Sequence, residues 1–266
     1  MQRLSVITIT RNDLEGLKRT INSVKNQSFE NIEHIIIDAD STDGTKDFLN
    51  NQPNLKFISE PDDGRYDGMN KGASHASGEI IWFLHSADIF PDTDTAKFVM
   101  EKVESTHGNF RWGYGLSSIE REGIPLGIGG QVPFDLTRFL LGGRIIPHQA
   151  AVFDSEFFAD QGGYNIKFGL AEDQAFMARC AVKSLPLVWP RTLCVFDADG
   201  AGSTRGAFAH YRDMGRARRG TGVSVTGKKW MDSVLSFYFA INTKKERLER
   251  RIVSKLSPTA SILEKK

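Results

Sequence analysis

The sequence predicts an α/β fold with a Rossmann-like, mainly parallel central sheet flanked by helices, and three observations carry that prediction. Four β-branched or aromatic runs, at 4–10, 32–38, 55–59 and 80–84, alternate with stretches whose apolar residues recur at helical spacing. Each run stops at polar or acidic residues, as parallel strands do when they deliver side chains to the carboxyl edge of a sheet. A length of 266 residues, 40% hydrophobic and 25% charged, suffices for one large domain or a domain plus an appendage, and excludes a disordered chain.

The stretch 79–88, EIIWFLHSAD, organises the rest. Ile80, Ile81, Trp82, Phe83 and Leu84 run without polar interruption, the pattern of a strand buried on both faces. Asp88 then falls just past a carboxyl edge, where an acidic side chain can hold a divalent cation against a phosphate. The alternative is a turn cap before Pro91.

In chain order, the first run ends at Arg11-Asn12-Asp13, and Leu14, Leu17, Ile21 and Val24 follow at helical spacing behind an Asn12 or Asp13 N-cap. The second run ends in acid, IIIDADSTDGT, before a helix holding Phe48 and Leu49. After the third comes EPDDGRYDGMNKG and a helix over 67–76. Four strands thus bring Arg11, Asn12, Asp38, Asp40, Asp62, Asp63 and Asp88 to one edge, and clustered acids are costly without a cation or donors between them. One N-cap per loop is the competing account. No G-x-G-x-x-G follows the first strand and no G-x-x-x-x-G-K-[ST] occurs, so dinucleotide-binding and P-loop readings lack their signatures. Further on, the pattern predicts a helix over 94–103, a glycine-interrupted strand over 110–118 and a short helix over 136–141. His148-Gln149 then precede a strand, Glu172-Asp173 open a helix with Phe176, Met177, Cys180 and Ala181 on its apolar stripe, and a buried strand covers 187–195.

Cys180 and Cys194 form neither a disulfide framework nor a zinc spacing, which points to a reducing compartment, and no signal peptide or run of about 20 apolar residues is present. Net charge is +1, yet residues 205–266 carry fifteen Lys/Arg against five Asp/Glu. The expected division is a body over 1–204 and a basic, partly amphipathic tail over 205–266. In that tail Trp230, Val234, Leu235, Phe237, Phe239 and Ile241 lie between lysines, which fits a helix on an anionic membrane surface; a homodimer contact or a packed C-terminal helix are the alternatives. Nucleic acid is a third, less favoured, partner for the tail.

Read together, these segments resemble the family 2 glycosyltransferases of the GT-A fold over residues 4–204. LSVITITRN is similar to the family's first strand and loop, IIIDADSTDGT to its nucleotide-binding loop, and EPDDGRYDGMNKG to a segment of its exopolysaccharide and glycolipid members. FLHSAD sits where the family carries a metal-binding Asp pair, and HQAAVF with YNIKFGLAEDQAFMARC resembles its second half. The likeness is strongest to enzymes that build bacterial exopolysaccharide units of the colanic acid type.

The resemblance implies an inverting transfer of a sugar from a UDP-, GDP- or dTDP-sugar to a hydroxyl of a glycan or lipid-linked acceptor, with Mn²⁺ or Mg²⁺ as cofactor. The two cysteines point to a cytoplasmic location, and the membrane reading of the tail, one of its alternatives, would place the protein at the inner face of the cell membrane. Asp173 would be the base, with Glu172 facing the pocket or tuning it, and Asp88 the metal ligand. Thr10, Arg11, Asn12, Asp38, Asp40 and Ser41 would contact base and ribose. Asp63, Tyr66, Asn70, Ser86, Ala87 and His148 would line the rest of the donor site, and His210 is a second candidate near the metal. Two departures stand out: Ala87 replaces the first Asp of the metal motif, and Ala39 replaces an Asp that often contacts the base. A sugar-1-phosphate nucleotidyltransferase, which should open on a glycine-rich basic loop, and an inactive nucleotide-sugar-binding subunit are the rival readings.

Overall fold

The computed structural model describes residues 2–52, 55–121, 123–197 and 207–256, with backbone alone for 207 and 243–256. Eight strands, nine helices and one 3₁₀ turn are described among them. The first half alternates β1 (Leu4–Thr10), α1 (Leu14–Lys25), β2 (Ile32–Asp38), α2 (Thr45–Asn50), β3 (Lys56–Ser59), α3 (Arg65–Ser74), β4 (Ile80–Phe83) and α4 (Thr95–Glu104). Then come β5 (Trp112–Arg121), β6 (Ile124–Gly129), α5 (Leu136–Leu140), the 3₁₀ turn His148–Ala150, β7 (Ala151–Asp154) and α6 (Ser155–Asp160). The chain continues through α7 (Glu172–Lys183), β8 (Leu187–Asp197), α8 (Ala207–Thr221) and α9 (Lys229–Leu256).

The strands form one sheet in the order β3-β2-β1-β4-β7-β5-β6, with β8 paired to β5. As the alternating pattern predicts, β1, β2, β3 and β4 are mutually parallel. The second half differs: β7 runs antiparallel to both β4 and β5, and β6 closes a hairpin on β5. Glycines at 113, 115, 127 and 129 mask the two-residue alternation in β5 and β6, so their pairing was not legible. The helix predicted over 67–76 begins earlier, at Arg65, and the strand predicted over 187–195 runs on to Asp197.

Alternation along β4 explains its uninterrupted apolar sequence. Ile80, Trp82 and Leu84 enter a core shared with Val99, Met100 and Trp189 on one face of the sheet. Ile81 and Phe83 enter the other, with Tyr66, Met69, Phe153, Phe158 and Phe176. Helix α3 lies unusually close to the sheet because Gly68 and Gly72 have no side chains there. A Cβ on Gly72 would sit 2.3 Å from Ile7 Cγ2, well inside contact distance. This close approach sets the position of Tyr66, nearly two turns before Gly72 on the same helix.

Candidate functional site

Parallel pairing places the carboxyl ends of β3, β2, β1 and β4 along one rim, with Thr10 beside Asp38 and Asp38 beside Ser59. Asp38 is fully buried and accepts hydrogen bonds from the Ser41 hydroxyl at 2.5 Å, the Ser59 hydroxyl at 2.7 Å and the Ser41 amide at 3.2 Å. These donors satisfy and orient a carboxylate that burial would otherwise penalise. Ser41 Oγ accepts the Asn12 amide at 2.7 Å, and Asn12 Oδ1 accepts the Thr42 amide at 2.8 Å, which joins the loops after β1 and β2. Arg11 and Asp40 stand exposed on the same rim, Asp40 lying 3.8 Å from Lys46. Thr10 Oγ1 is buried with no hydrogen-bond partner among the described residues. Asp63 is exposed, and its amide donates to Asp67 at 3.1 Å.

Asn12, Asp40 and Ala87, each just past a strand, all adopt left-handed backbone with φ of 50°, 53° and 73°. Residues with a Cβ seldom adopt this conformation, and where they do the strain concentrates at ligand sites. Beside Ala87, the Ser86 hydroxyl donates to the Asp13 carboxylate and its amide to the Ile9 carbonyl at 3.1 Å. The loops after β1 and β4 are therefore tied together across the point where strand order reverses, the position at which open α/β sheets bind ligands.

Asp88 is only 3% exposed. Its Oδ1 accepts the Asp197 amide at 3.2 Å and its carboxylate also accepts from the Gln149 side chain, while Thr20 Oγ1 donates to its carbonyl at 2.8 Å. Burial, with the nearby Asp197 charge adding to it, pushes Asp88 up to about 8. A buried, oxygen-donor carboxylate with raised proton affinity fits a hard divalent cation, whose charge would stabilise the ionised form. Among the described residues no three His, Cys, Asp or Glu side chains converge as a protein cage, so such a cation would take most of its ligands from phosphate and water. The sequence pattern ends this strand at Val195 and so leaves out Asp197, with which β8 closes. An acid closing the run LCVFD was the available signal, and the Ile89–Val195 bridge brings it to Asp88.

A second cluster meets this rim from the far side of β4. Tyr66 is buried at the start of α3, and its hydroxyl stands 3.0 Å from the Leu170 carbonyl and 3.2 Å from Asp173 Oδ1. The Asp173 amide donates back to that hydroxyl at 3.3 Å, and Gln174 Nε2 donates to Asp173 Oδ2 at 3.3 Å. Burial first, then the Asp173 charge, pushes the Tyr66 phenol far above its usual range, so it stays a donor. His148 is buried with Nε2 2.6 Å from the Tyr164 hydroxyl, and its Nδ1 has no hydrogen-bond partner among the described residues. Its ring lies 5.6 Å from that of His85, which follows β4. Burial, aided by the Arg65 charge, pushes His148 down to about 3, which makes it a neutral imidazole. Burial lowers His85 too, with the Arg65 charge adding to the effect and the Asp173 carboxylate opposing it.

Three predicted residues have other occupations. Glu172 is fully buried, with Oε1 accepting from Arg179 at 2.8 Å and from the Asn165 amide at 2.9 Å. Burial raises its proton affinity, and Oε2 has no partner among the described residues. Asn70 exchanges two hydrogen bonds with the Tyr164 backbone, at 2.8 and 2.9 Å, and so fastens the loop before α7 to α3. His210 lies 3.2 Å from the Gly142 carbonyl. A cleft of about 360 Å³, lined by Phe168, Ala175, Arg179 and Gly220 among others, opens on the Glu172 side of α7 and includes none of the rim residues.

Residues 5–110 match the family described as Glycosyl transferase family 2. An uncharacterized glycosyltransferase of Mycobacterium tuberculosis is 43% identical over 220 residues, covering 80% of this chain and 82% of the relative. A PGL/p-HBAD biosynthesis glycosyltransferase of Mycobacterium bovis is 32% identical over 194 residues, covering 66% and 68%. Two solved structures share the fold alone. TarS of S. aureus in complex with UDP-GlcNAc has a TM-score of 0.64 at 17% identity, covering 89% of this chain and 71% of that one. A mannosyltransferase of Pyrobaculum calidifontis in complex with GDP-Man and Mn²⁺ has 0.60 at 19% identity, covering 98% and 78%. An acid-lined rim at the switch point of the sheet and relatives spanning most of the sequence lead to one conclusion: this chain is a GT-A glycosyltransferase and belongs to glycosyl transferase family 2.

Proposed function

We propose that the protein transfers a sugar, with inversion, from a nucleoside-diphosphate sugar to a hydroxyl of a glycan or lipid-linked acceptor. The observation that carries this reading is Asp173, half-buried at the N-terminus of α7 and held on both carboxylate oxygens by Tyr66 and Gln174. A carboxylate so oriented, with no ion pair to Lys or Arg among the described residues, suits a general base.

The nucleoside would lie over Thr10, Arg11, Asn12, Asp38, Asp40 and Ser41, and the diphosphate toward Ser86, Ala87 and Arg65. Asp88 would hold Mn²⁺ or Mg²⁺ together with diphosphate oxygens; when bound, the cation supplies Lewis-acid neutralisation of the leaving group. Asp173 would take the proton from the acceptor hydroxyl as its oxygen attacks the anomeric carbon. The bond from that carbon to the diphosphate oxygen breaks, the electron pair leaves with the diphosphate, and attack from the opposite face inverts the centre. Tyr66 would keep the accepting oxygen aimed at the substrate. His148, neutral and bound to Tyr164, would shape the sugar pocket without moving a proton.

Panels of UDP-, GDP- and dTDP-sugars with Mn²⁺ test this reading. One donor is expected to raise the thermal midpoint and release its nucleoside diphosphate, and the product should carry the opposite anomeric configuration by NMR. Retained configuration would remove Asp173 from the role of base.

A further inference from the structure

The outward face of α9 is apolar, and its rotation is fixed from below. Arg218 of α8 and Asp232 of α9 are both buried, 3.6 Å apart, and Arg218 also donates to Ser236 Oγ at 2.9 Å. Asp232 further accepts the Val225 and Thr226 amides at 3.1 and 2.9 Å. With Asp232, Ser236 and Ala240 facing inward at four-residue spacing, the opposite side of the helix has no choice but to face out. That side carries Trp230, Val234, Phe237, Tyr238 and Ile241, each between 44% and 65% exposed. At about 100° per residue these five fall within an arc of about 100°. Phe208 of α8 adds to the patch, its ring 6.3 Å from that of Phe237.

Charge identifies what covers this face. Lys228 and Lys229 stand exposed where α9 begins. Beyond the patch, residues 244–255 of the same helix carry Lys244, Lys245, Arg247, Arg250, Arg251 and Lys255 against Glu246 and Glu249. A second copy laid face to face would bring like charges together. An anionic bilayer surface instead accepts the lysines and arginines at its headgroups and the Trp, Phe and Tyr rings below them. No helix described is long and apolar enough to cross a membrane, so the contact would be interfacial. We propose that the exposed α9 face, 230–241, docks this protein on an anionic phospholipid surface.

The test is flotation of the full chain with vesicles of phosphatidylcholine alone or mixed with phosphatidylglycerol. The wild type is expected to float with the mixed vesicles only and to be released by salt. Trp230→Ser with Phe237→Ser should lower the bound fraction about tenfold at an unchanged thermal midpoint, since both side chains are exposed. Lys228→Gln with Lys229→Gln should weaken binding less and reduce its salt sensitivity. The proposal is overturned if the wild type ignores anionic vesicles, or if the Trp230/Phe237 variant floats like it. A wild-type dimer that this variant dissociates, with vesicle binding unchanged, would overturn it as well and assign the face to a second copy. Vesicle binding needs no turnover, so the outcome is independent of the donor and base assignments.

Discussion

At the scale of single residues, Tyr66 and Asp88 do the least conspicuous work and give the sharpest expectations. The Tyr66 hydroxyl stands within hydrogen-bond distance of Asp173 and the Leu170 carbonyl. Tyr66→Phe keeps the packing against Tyr164 and removes that hydroxyl, so kcat should fall about tenfold with the donor KM unchanged. In a chain already carrying Asp173→Asn, the same change should do nothing further, a non-additivity that steady-state kinetics can read. For Asp88 the sign follows from its raised value of about 8. A carboxyl that binds its proton more tightly when folded contributes stability below the unfolded value near 4, and this is lost as pH rises toward about 8. Asp88→Asn removes the buried charge, so at pH 8 without metal the variant should be about 1 kcal/mol or more stabler in urea melts. It should also lose any extra stabilisation that Mn²⁺ gives in the presence of nucleotide.

Among the elements, α3 shows how a motif can be recognised before its reason is understood. The segment EPDDGRYDGMNKG pointed to the family, while its second and third glycines, Gly68 and Gly72, turn out to let the helix lie on Ile7, Ile9 and Ile37. Gly72→Ala should cost about 1–3 kcal/mol by overpacking, despite the better helix propensity of alanine, and thermal melts would measure it. The first four strands were legible because β-branched runs alternating with helical spacing leave few topologies open. Asp38 and Asp88 followed from their ends. The antiparallel β7 and the β5–β6 hairpin were not legible, because glycine carries no pattern and strand direction is set by long-range packing. Nor did the sequence reveal that Glu172 is fully buried against Arg179 and the Asn165 amide while its neighbour Asp173 is half-buried beside Tyr66, since one step of helix separates them by about 100°. Asp197 escaped for a simpler reason, a strand end placed two residues short.

Over the whole molecule, the site is held between two cores, one on each face of the sheet, and the buried polar groups between them give it a pH signature. His148 binds protons at about 3 when folded, against an ordinary 6.5, because burial disfavours its charged form. The unfolded chain therefore takes up a proton that the folded one refuses. Stability is fully present above pH 6.5 and is lost as pH falls toward 3, at about 1.4 kcal/mol per pH unit in the steep part. Urea midpoints should drop between pH 7 and pH 5, and His148→Gln should flatten that slope. His85 is partly exposed and should contribute less. The expected division at residue 204 falls within 198–206, outside the described residues; beyond it, α8 packs on α5 and α7.

The central claim is that a donor bound on the strand ends and a proton acceptor on α7 share one site. Its most direct test is to record, for wild type and Asp173→Asn, both the donor-induced rise in thermal midpoint and the rate of nucleoside diphosphate release into acceptor. The expected result is an equal rise in both proteins with turnover reduced by about a hundredfold or more in the variant. Turnover equal to wild type in Asp173→Asn would contradict it.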